Sequence, residues 1–292
     1  MKNKTYIYLI LILVSFIWAS SFIVVKTATE EIDPIDLGFL RFIVATPILF
    51  LILIYQKKDL HLPKKEIPSL LILGLTGVTL LYLLQYIGIV YTNASTSSVL
   101  INTNVIFIAI LSVIFLKEKI SIKRISGILL SFIGVCVVIF SNISTENFNL
   151  NNVFFIGSIL VLLSAFCWAI YSIVGKRLLE KYDAIVITSY AFIIGTLFYI
   201  PLVINDIHIN IQNYSMNIFI YILYLAIFSS VFSYIGWYYS LKVTEASKAA
   251  VFLNLIPMFA ITMSLFLGEK IKIIFILGAI FIIYGVYLTQ KS

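Results

Sequence analysis

Apolar runs of about 20 residues recur from one end of this 292-residue chain to the other. Each run is long enough to cross the bilayer core of about 30 Å as a helix that rises about 1.5 Å per residue. Charged residues make up 11% of the chain, whereas they make up about a quarter of an ordinary soluble domain. The sequence therefore predicts an all-α integral membrane protein whose surroundings are the lipid bilayer.

Windows of about 19 residues divide these runs into ten predicted transmembrane helices. The count depends partly on splitting two long runs, between the third and fourth spans and between the eighth and ninth. The predicted spans are 6–26, 33–55, 67–90, 95–116, 122–141, 153–175, 184–204, 217–241, 246–267 and 272–290.

The basic residues predict how these spans are oriented. Lys and Arg concentrate in the cytoplasmic loops of membrane proteins. With the N-terminus inside, 16 of the 20 basic residues fall in inner segments, three fall in outer segments, and Arg41 lies within a span. We therefore expect a protein of the inner cell membrane with both termini in the cytoplasm. The first apolar run is expected to remain as a transmembrane helix rather than to be cleaved as a signal peptide. The net charge of +7 then reflects membrane topology, and no nucleic-acid partner is predicted.

The second half of the chain repeats the first. The stretch FLKEKIS at 115–121 nearly recurs as FLGEKIK at 266–272, and TNAS at 92–95 matches TEAS at 244–247. Trp18-Ala19 likewise matches Trp168-Ala169, and all these offsets lie between 150 and 152 residues. The chain is predicted to be two copies of one five-span unit.

The predicted units are residues 1–141 and 153–292, joined by an extracytoplasmic linker at 142–152. Because five is odd, the second unit enters the membrane from the opposite side, and a pseudo-two-fold axis in the membrane plane relates the halves. Glu118 should then face the cytoplasm while Glu269 faces outward. Inverted repeats of this kind are the architecture of secondary transporters, with the binding site between the halves. A monomer is compatible with this arrangement.

These motifs resemble the EamA-type domains of the drug/metabolite transporter superfamily. The shared features are Trp-Ala in the first helix of each half, Arg41 in the second helix, T-x-A-S before the fourth, L-x-E-K-I after it, and a Gly-rich fifth helix. The resemblance implies a secondary transporter, an exporter or facilitator, of small metabolites such as amino acids. Carriage of sugars, nucleosides or nucleotide-linked metabolites, or multidrug export, is the alternative.

Polar residues within the apolar spans are the candidates for contact with a small-molecule substrate. Ser98 and Asn102 lie on one face of the fourth span, and Asn254 lies on the matching face of the ninth. Small residues there can also serve close helix packing, so both interpretations stay open. Tyr82 and Gln85 lie deeper in the third span than the interfacial aromatic belt.

Large aromatic residues and one charge complete the candidate set. Trp18 and Trp168 are either packing residues between the halves or cavity residues. Arg41 lies well inside a span, where a charge costs at least about 2.5 kcal/mol. It either binds a carboxylate or gates the site, or it is structural and pairs with Asp36 or with backbone carbonyls. The predicted cavity-lining residues are Trp18, Ser21, Arg41, Tyr82, Gln85, Ser98, Asn102, Trp168, Tyr171, Tyr234, Trp237 and Asn254.

Other chemistry finds little support in the sequence. Cys136 and Cys167 lie in separate apolar runs, and His61 and His208 fall in loops on opposite sides. No metal site, cofactor or enzymatic activity is therefore predicted. No Asp or Glu lies near the centre of a predicted span, which disfavours proton-coupled export of cations. Pro257, in the ninth span only, is predicted to be a hinge.

Overall fold

The computed structural model describes residues 2–58, 63–92, 97, 100–140, 152–204, 214–264 and 273–291. These residues form helices joined by short links, and no strand occurs among them. In chain order the helices are α1 (Lys2–Ala28), α2 (Pro34–Tyr55), α3 (Lys64–Tyr91), α4 (Asn104–Leu116), α5 (Ile122–Phe140), α6 (Asn152–Leu179), α7 (Ala184–Val203), α8 (Met216–Val243), α9 (246–264) and α10 (Ile273–Gln290).

Seven helices of the described chain are long and apolar enough to cross a membrane. They are α1, within which the apolar stretch is Thr5–Val25, and α2, α3, α6, α7, α8 and α10. The apolar helices in α4 and α9 are shorter, and α5 is not among the seven. The all-helical, multi-pass membrane architecture is confirmed over the described residues, while the count of ten spans stays a prediction.

Matching helices of the two halves begin in the same way. Asp33 and Asp183, 150 residues apart, precede α2 and α7. Their carboxylates accept hydrogen bonds from the backbone N–H groups of Ile35 at 2.8 Å and of Ile185 at 3.3 Å. Each cap satisfies one of the N–H groups that the first turn of a helix leaves without an intrahelical partner.

Both α3 and α8 contain a stretch of π-helix in the middle. It covers Leu75–Thr79 in α3 and Leu225–Phe232 in α8, again at an offset of 150. A π-turn shifts the helical register, so side chains beyond it point in directions that a regular 3.6-residue period does not predict. Two carbonyl oxygens in these stretches, those of Gly77 and Ser229, accept hydrogen bonds from side chains of other helices.

The last helices of the two halves, α5 and α10, pack against each other through glycines. A Cβ atom on Gly134 would lie 2.7 Å from the Gly278 carbonyl oxygen, and one on Gly285 would lie 2.6 Å from the Gly127 carbonyl oxygen. Gly127 corresponds to Gly278 in the repeat, and Gly134 corresponds to Gly285. The contact of Gly134 with Gly278 is therefore repeated by the contact of their equivalents, Gly285 and Gly127, as a two-fold axis requires. Because glycine has no side chain, the two backbones can approach closely.

Substitution of Gly285 by Ala is expected to lower the stability of the protein by about 1–3 kcal/mol, because the added methyl group meets backbone atoms of α5 that cannot move aside. Unfolding in detergent micelles measures this change. Gly236→Ala is the matched control in another helix, since its Cβ would meet only methyl groups of Val14 and Ile10. Equal stabilities of the two variants would contradict the close packing of α5 on α10.

Candidate functional site

The two tryptophans of the repeated Trp-Ala pair contact each other. The ring centroids of Trp18 and Trp168 are 5.1 Å apart and the rings are nearly perpendicular. A residue that contacts its own repeat equivalent must lie near the axis that relates the repeats. Tyr234 and Trp237 of α8 pack on the same pair, with centroids 5.5 to 6.1 Å from the two tryptophan rings. This aromatic cluster joins α1, α6 and α8 at the interface between the halves.

A second pair of equivalent residues meets beside this cluster. The hydroxyl oxygens of Tyr82 in α3 and Tyr234 in α8 are 3.1 Å apart. The Tyr234 hydroxyl also donates to the Gly77 carbonyl oxygen at 2.7 Å, which lies in the π-helical stretch of α3. In α2 and α7 the equivalent hydroxyls of Thr46 and Thr196 are 3.0 Å apart. Three pairs of equivalent side chains thus mark the interface.

Arg41 crosses this interface from α2. Its side chain is buried, and Nε donates to Ser230 Oγ at 2.5 Å. Nη2 donates to Tyr82 Oη at 2.9 Å and to Ser229 Oγ at 3.1 Å, and the guanidinium carbon lies 4.4 Å from the centroid of the Tyr82 ring. The hydrogen bonds go to hydroxyl groups, rather than to Asp36 or to backbone carbonyls as the structural interpretation of the sequence expected.

A cavity of about 90 Å³ lies next to Arg41 and the tryptophan pair. Its wall is mainly apolar and aromatic, with a few polar groups. The lining residues are Trp18, Ser21, Phe22, Val25, Arg41, Leu81, Tyr82, Gln85, Tyr86, Ile89, Ile101, Asn102, Asn104, Ala165, Trp168, Leu253 and Ile256.

Seven of the predicted site residues line this cavity. They are Trp18, Ser21, Arg41, Tyr82, Gln85, Asn102 and Trp168. The side chains of Tyr171, Tyr234 and Trp237 are fully buried and do not line the cavity. Ser98 lies outside the described residues.

Asn254 lies away from the cavity, although the repeat makes it the equivalent of Asn102. Its Nδ2 donates to Ser131 Oγ of α5 at 2.7 Å. The reason is local, because Val251–Asn254 is a stretch of 3₁₀-helix, which turns this side chain out of the face that an α-helical period predicts. Pro257 lies beyond this stretch, in the α-helical part of α9. The hinge at Pro257 stays a prediction.

Sequence reasoning missed the serines that hold Arg41. Ser229 and Ser230 are adjacent, and on a regular helix neighbouring residues do not share a face. The π-helical stretch Leu225–Phe232 contains both, and both hydroxyls reach the same guanidinium. The sequence did offer one indication of this site, because two adjacent small polar residues are unusual in the middle of an apolar span. Asn104, two residues after Asn102, was missed as well.

Contacts between the halves also lie at the opposite end of the molecule, where Glu245 lines a second cavity of about 620 Å³. Lys58 Nζ lies 2.6 Å from Asp183 Oδ2, and Arg124 forms an ion pair with Glu245. Arg177, from the end of α6, donates to the Phe115 carbonyl oxygen at the end of α4. These contacts join the α2–α3 link to the α6–α7 link, the start of α5 to the α8–α9 link, and the ends of α4 and α6 to each other.

The first copy of the repeated charged motif caps a helix of the second half. Glu118 accepts hydrogen bonds from Ala246 N at 2.6 Å and from Ser247 Oγ at 2.7 Å. Its carboxylate therefore lies at the N-terminus of α9, where the unpaired N–H groups and the helix dipole favour an anion. Glu269, in the second copy of the motif, lies outside the described residues.

The model of the EamA-like transporter family matches the chain twice, at residues 5–140 and 155–290. The chain belongs to this family. Two proteins named uncharacterized transporter from Archaeoglobus fulgidus are 38% and 33% identical to it, over 100% and 98% of this chain and 99% of each relative. The uncharacterized transporter YyaM of Bacillus subtilis is 28% identical over 96% of this chain and 92% of that protein.

A solved structure shares the fold of this EamA-like protein. It is a crystal structure of a protein that aligns with a TM-score of 0.83 at 13% identity, over 98% of this chain and 97% of the solved chain. At this level of identity the likeness shows the fold alone. Family membership and apolar helices together make the chain a multi-pass membrane protein with a transport role.

Substitution of Tyr82 by Phe is expected to destabilise this protein by about 1–3 kcal/mol, because Arg41 loses a buried hydrogen-bond acceptor. Unfolding of the purified variant in detergent measures the change. Tyr239→Phe is the matched control, since Tyr239 is 44% exposed. Equal stabilities of the two variants would contradict a structural contribution of the Arg41–Tyr82 hydrogen bond.

Proposed function

We propose that this chain is a secondary transporter, an exporter or facilitator, that moves small metabolites such as amino acids across the cell membrane by alternating access. The observation that carries the proposal is the cavity beside the Trp18–Trp168 contact, where equivalent residues of the two halves meet. A binding site at the interface between repeats is exposed to one side or the other when the halves rock against each other.

The proposal includes ten spans in two inverted five-helix units, with both termini in the cytoplasm of the inner membrane. The location of the basic residues supports this orientation. Contacts between equivalent residues, such as Thr46 with Thr196 and Tyr82 with Tyr234, support a two-fold relation between the units. The glycine contacts of α5 with α10 support the same relation at a second place in the fold.

In the proposed cycle this conformation faces outward. Trp18, Ser21 and Val25 lie in the second half of α1, and Tyr82 and Gln85 lie in the second half of α3. The cavity is therefore nearer the end that carries the α1–α2 link. Ion pairs and a helix cap join the halves at the other end, which the proposed orientation puts in the cytoplasm. Transport then requires these contacts to break while the outer end closes.

The size of the cavity favours a small solute. Sites for drug-sized ligands usually occupy about 300–1,000 Å³, whereas this cavity measures about 90 Å³. Nucleotide-linked metabolites and large lipophilic drugs are therefore less suited to it than amino acids or compounds of similar size. Aromatic rings together with the amides of Gln85, Asn102 and Asn104 offer both apolar contact and hydrogen bonds.

Counterflow in proteoliposomes tests the proposed function. Vesicles loaded with an unlabelled amino acid, sugar or nucleoside are expected to accumulate the same labelled solute transiently and saturably for one of these classes. Because no carboxylate was found near a span centre, an imposed pH gradient is expected to leave the rate unchanged. Protein-free vesicles are the control. Absence of counterflow for every class by folded protein would contradict carrier function, and flux that does not saturate would indicate a channel.

A further inference from the structure

The Arg41 guanidinium has more N–H groups than the described residues use. Nε and Nη2 donate to Ser230, Ser229 and Tyr82, and the Tyr86 hydroxyl also interacts with the guanidinium, which leaves at least one N–H group of Nη1 unused. Arg41 is 1% exposed and borders the cavity. Its serine and tyrosine partners hold the guanidinium in place, so the unused donor is fixed beside the space that a solute would fill.

The charge of Arg41 also lacks a counter-ion. No Asp or Glu of the described chain lies within ion-pair distance of its guanidinium, and its hydrogen-bond acceptors are neutral hydroxyls. The contrast is Arg124, which is similarly buried but forms an ion pair with Glu245. Buried charges are usually paired, because removing a charge from water is costly. An unpaired cation at a cavity wall therefore points to an anionic ligand.

A further polar group at the same cavity lacks a hydrogen bond within the described part of the chain. It is Asn104 Oδ1, and Asn104 lines the cavity and is 9% exposed. More than nine-tenths of buried polar groups normally have a partner in the protein or in ordered water. Asn104 Oδ1 can only accept a hydrogen bond, so it calls for a donor inside the cavity.

We propose that Nη1 of Arg41 binds a carboxylate of the transported solute, and that Asn104 binds a hydrogen-bond donor on the same solute. The inference rests on the proposed transport function and deepens it. The substrate class is a small organic acid with a hydroxyl or ammonium group near its carboxylate. Charge-assisted hydrogen bonds from a guanidinium to a carboxylate are stronger than bonds between neutral groups. Lipophilic cations would meet a fixed positive charge and are excluded.

Amides of the same acids provide the test that leaves the protein unchanged. Small 2-hydroxy acids and 2-amino acids, each with its own amide, compete against a labelled solute for counterflow by the wild-type protein. The amides keep the size and the donor group but lose the negative charge. We expect the acids to compete at least about tenfold better than their amides, which corresponds to about 1.4 kcal/mol. Equal competition by acids and amides would overturn the proposal.

Variants assign this preference to Arg41. Arg41→Gln is expected to reduce the ratio of acid to amide affinity to near one, and Arg41→Lys is expected to retain part of it. Lys65→Gln is the matched control, because it also removes a positive charge, but Lys65 is exposed and does not line the cavity. A wild-type ratio in a folded Arg41→Gln variant would contradict the assignment. If that variant does not fold, the amide comparison with the wild-type protein still decides.

Calorimetric binding of the same acids and amides to the protein in lipid nanodiscs separates the two proposals. Binding of acids in preference to amides, without counterflow, would support the Arg41 subsite and contradict transport. Saturable counterflow without preference for acids would support transport and contradict the subsite.

Discussion

The contact between Trp18 and Trp168 fixes the geometry on which the rest of the structure depends. These equivalent residues can touch, with ring centroids 5.1 Å apart, only where the two halves meet at their common axis. Tyr82 and Tyr234 meet in the same way. Because the halves contact each other through matching surfaces, the cavity between them is lined by residues of both. In the proposed transport cycle these surfaces separate on one side while they close on the other.

The symmetry of the backbone does not extend to the charges. Arg41 has no counterpart in the second half, where Ala191 is buried at the equivalent place. The guanidinium of the first half is instead held by Ser229 and Ser230 of the second half. A symmetric pair of buried cations would repel each other in a medium of low dielectric constant. A single buried cation avoids this repulsion.

In the proposed cycle the contacts at the end that carries the Lys58–Asp183 ion pair break and re-form, and their exposure suits this. Lys58 and Asp183 are 36% and 41% exposed, so solvent screens their attraction, and pairs of this kind contribute about 0–1 kcal/mol each. Hydrogen bonds from the first turn of α9 to Glu118 can be replaced by water when that end opens. The aromatic contacts near the axis are buried, and they are the more durable connection between the halves.

Much of the fold follows from the sequence, because an apolar run in lipid must form a helix to satisfy its backbone groups. Packing between the halves was also one of the two interpretations offered for Trp18 and Trp168, whose rings contact each other. The site was less predictable, because helical periodicity assumes a regular helix. The π-helical stretch of α8 turns Ser229 and Ser230 onto Arg41, and the 3₁₀ stretch before Leu255 turns Asn254 toward α5. No residue type in the sequence predicts the π-helical stretch of α8 or the 3₁₀-helical stretch of α9.

The central claim is that the halves move against each other. Cross-linking of the two halves at the Lys58–Asp183 ion pair tests it most directly. Cysteines replace Lys58 and Asp183 in a protein without Cys136 and Cys167, and a short, cleavable bifunctional thiol reagent joins them. If the halves must separate there, the cross-link will abolish counterflow, reduction will restore it, and each single-cysteine protein will be unaffected. Full counterflow by the cross-linked protein would contradict the account.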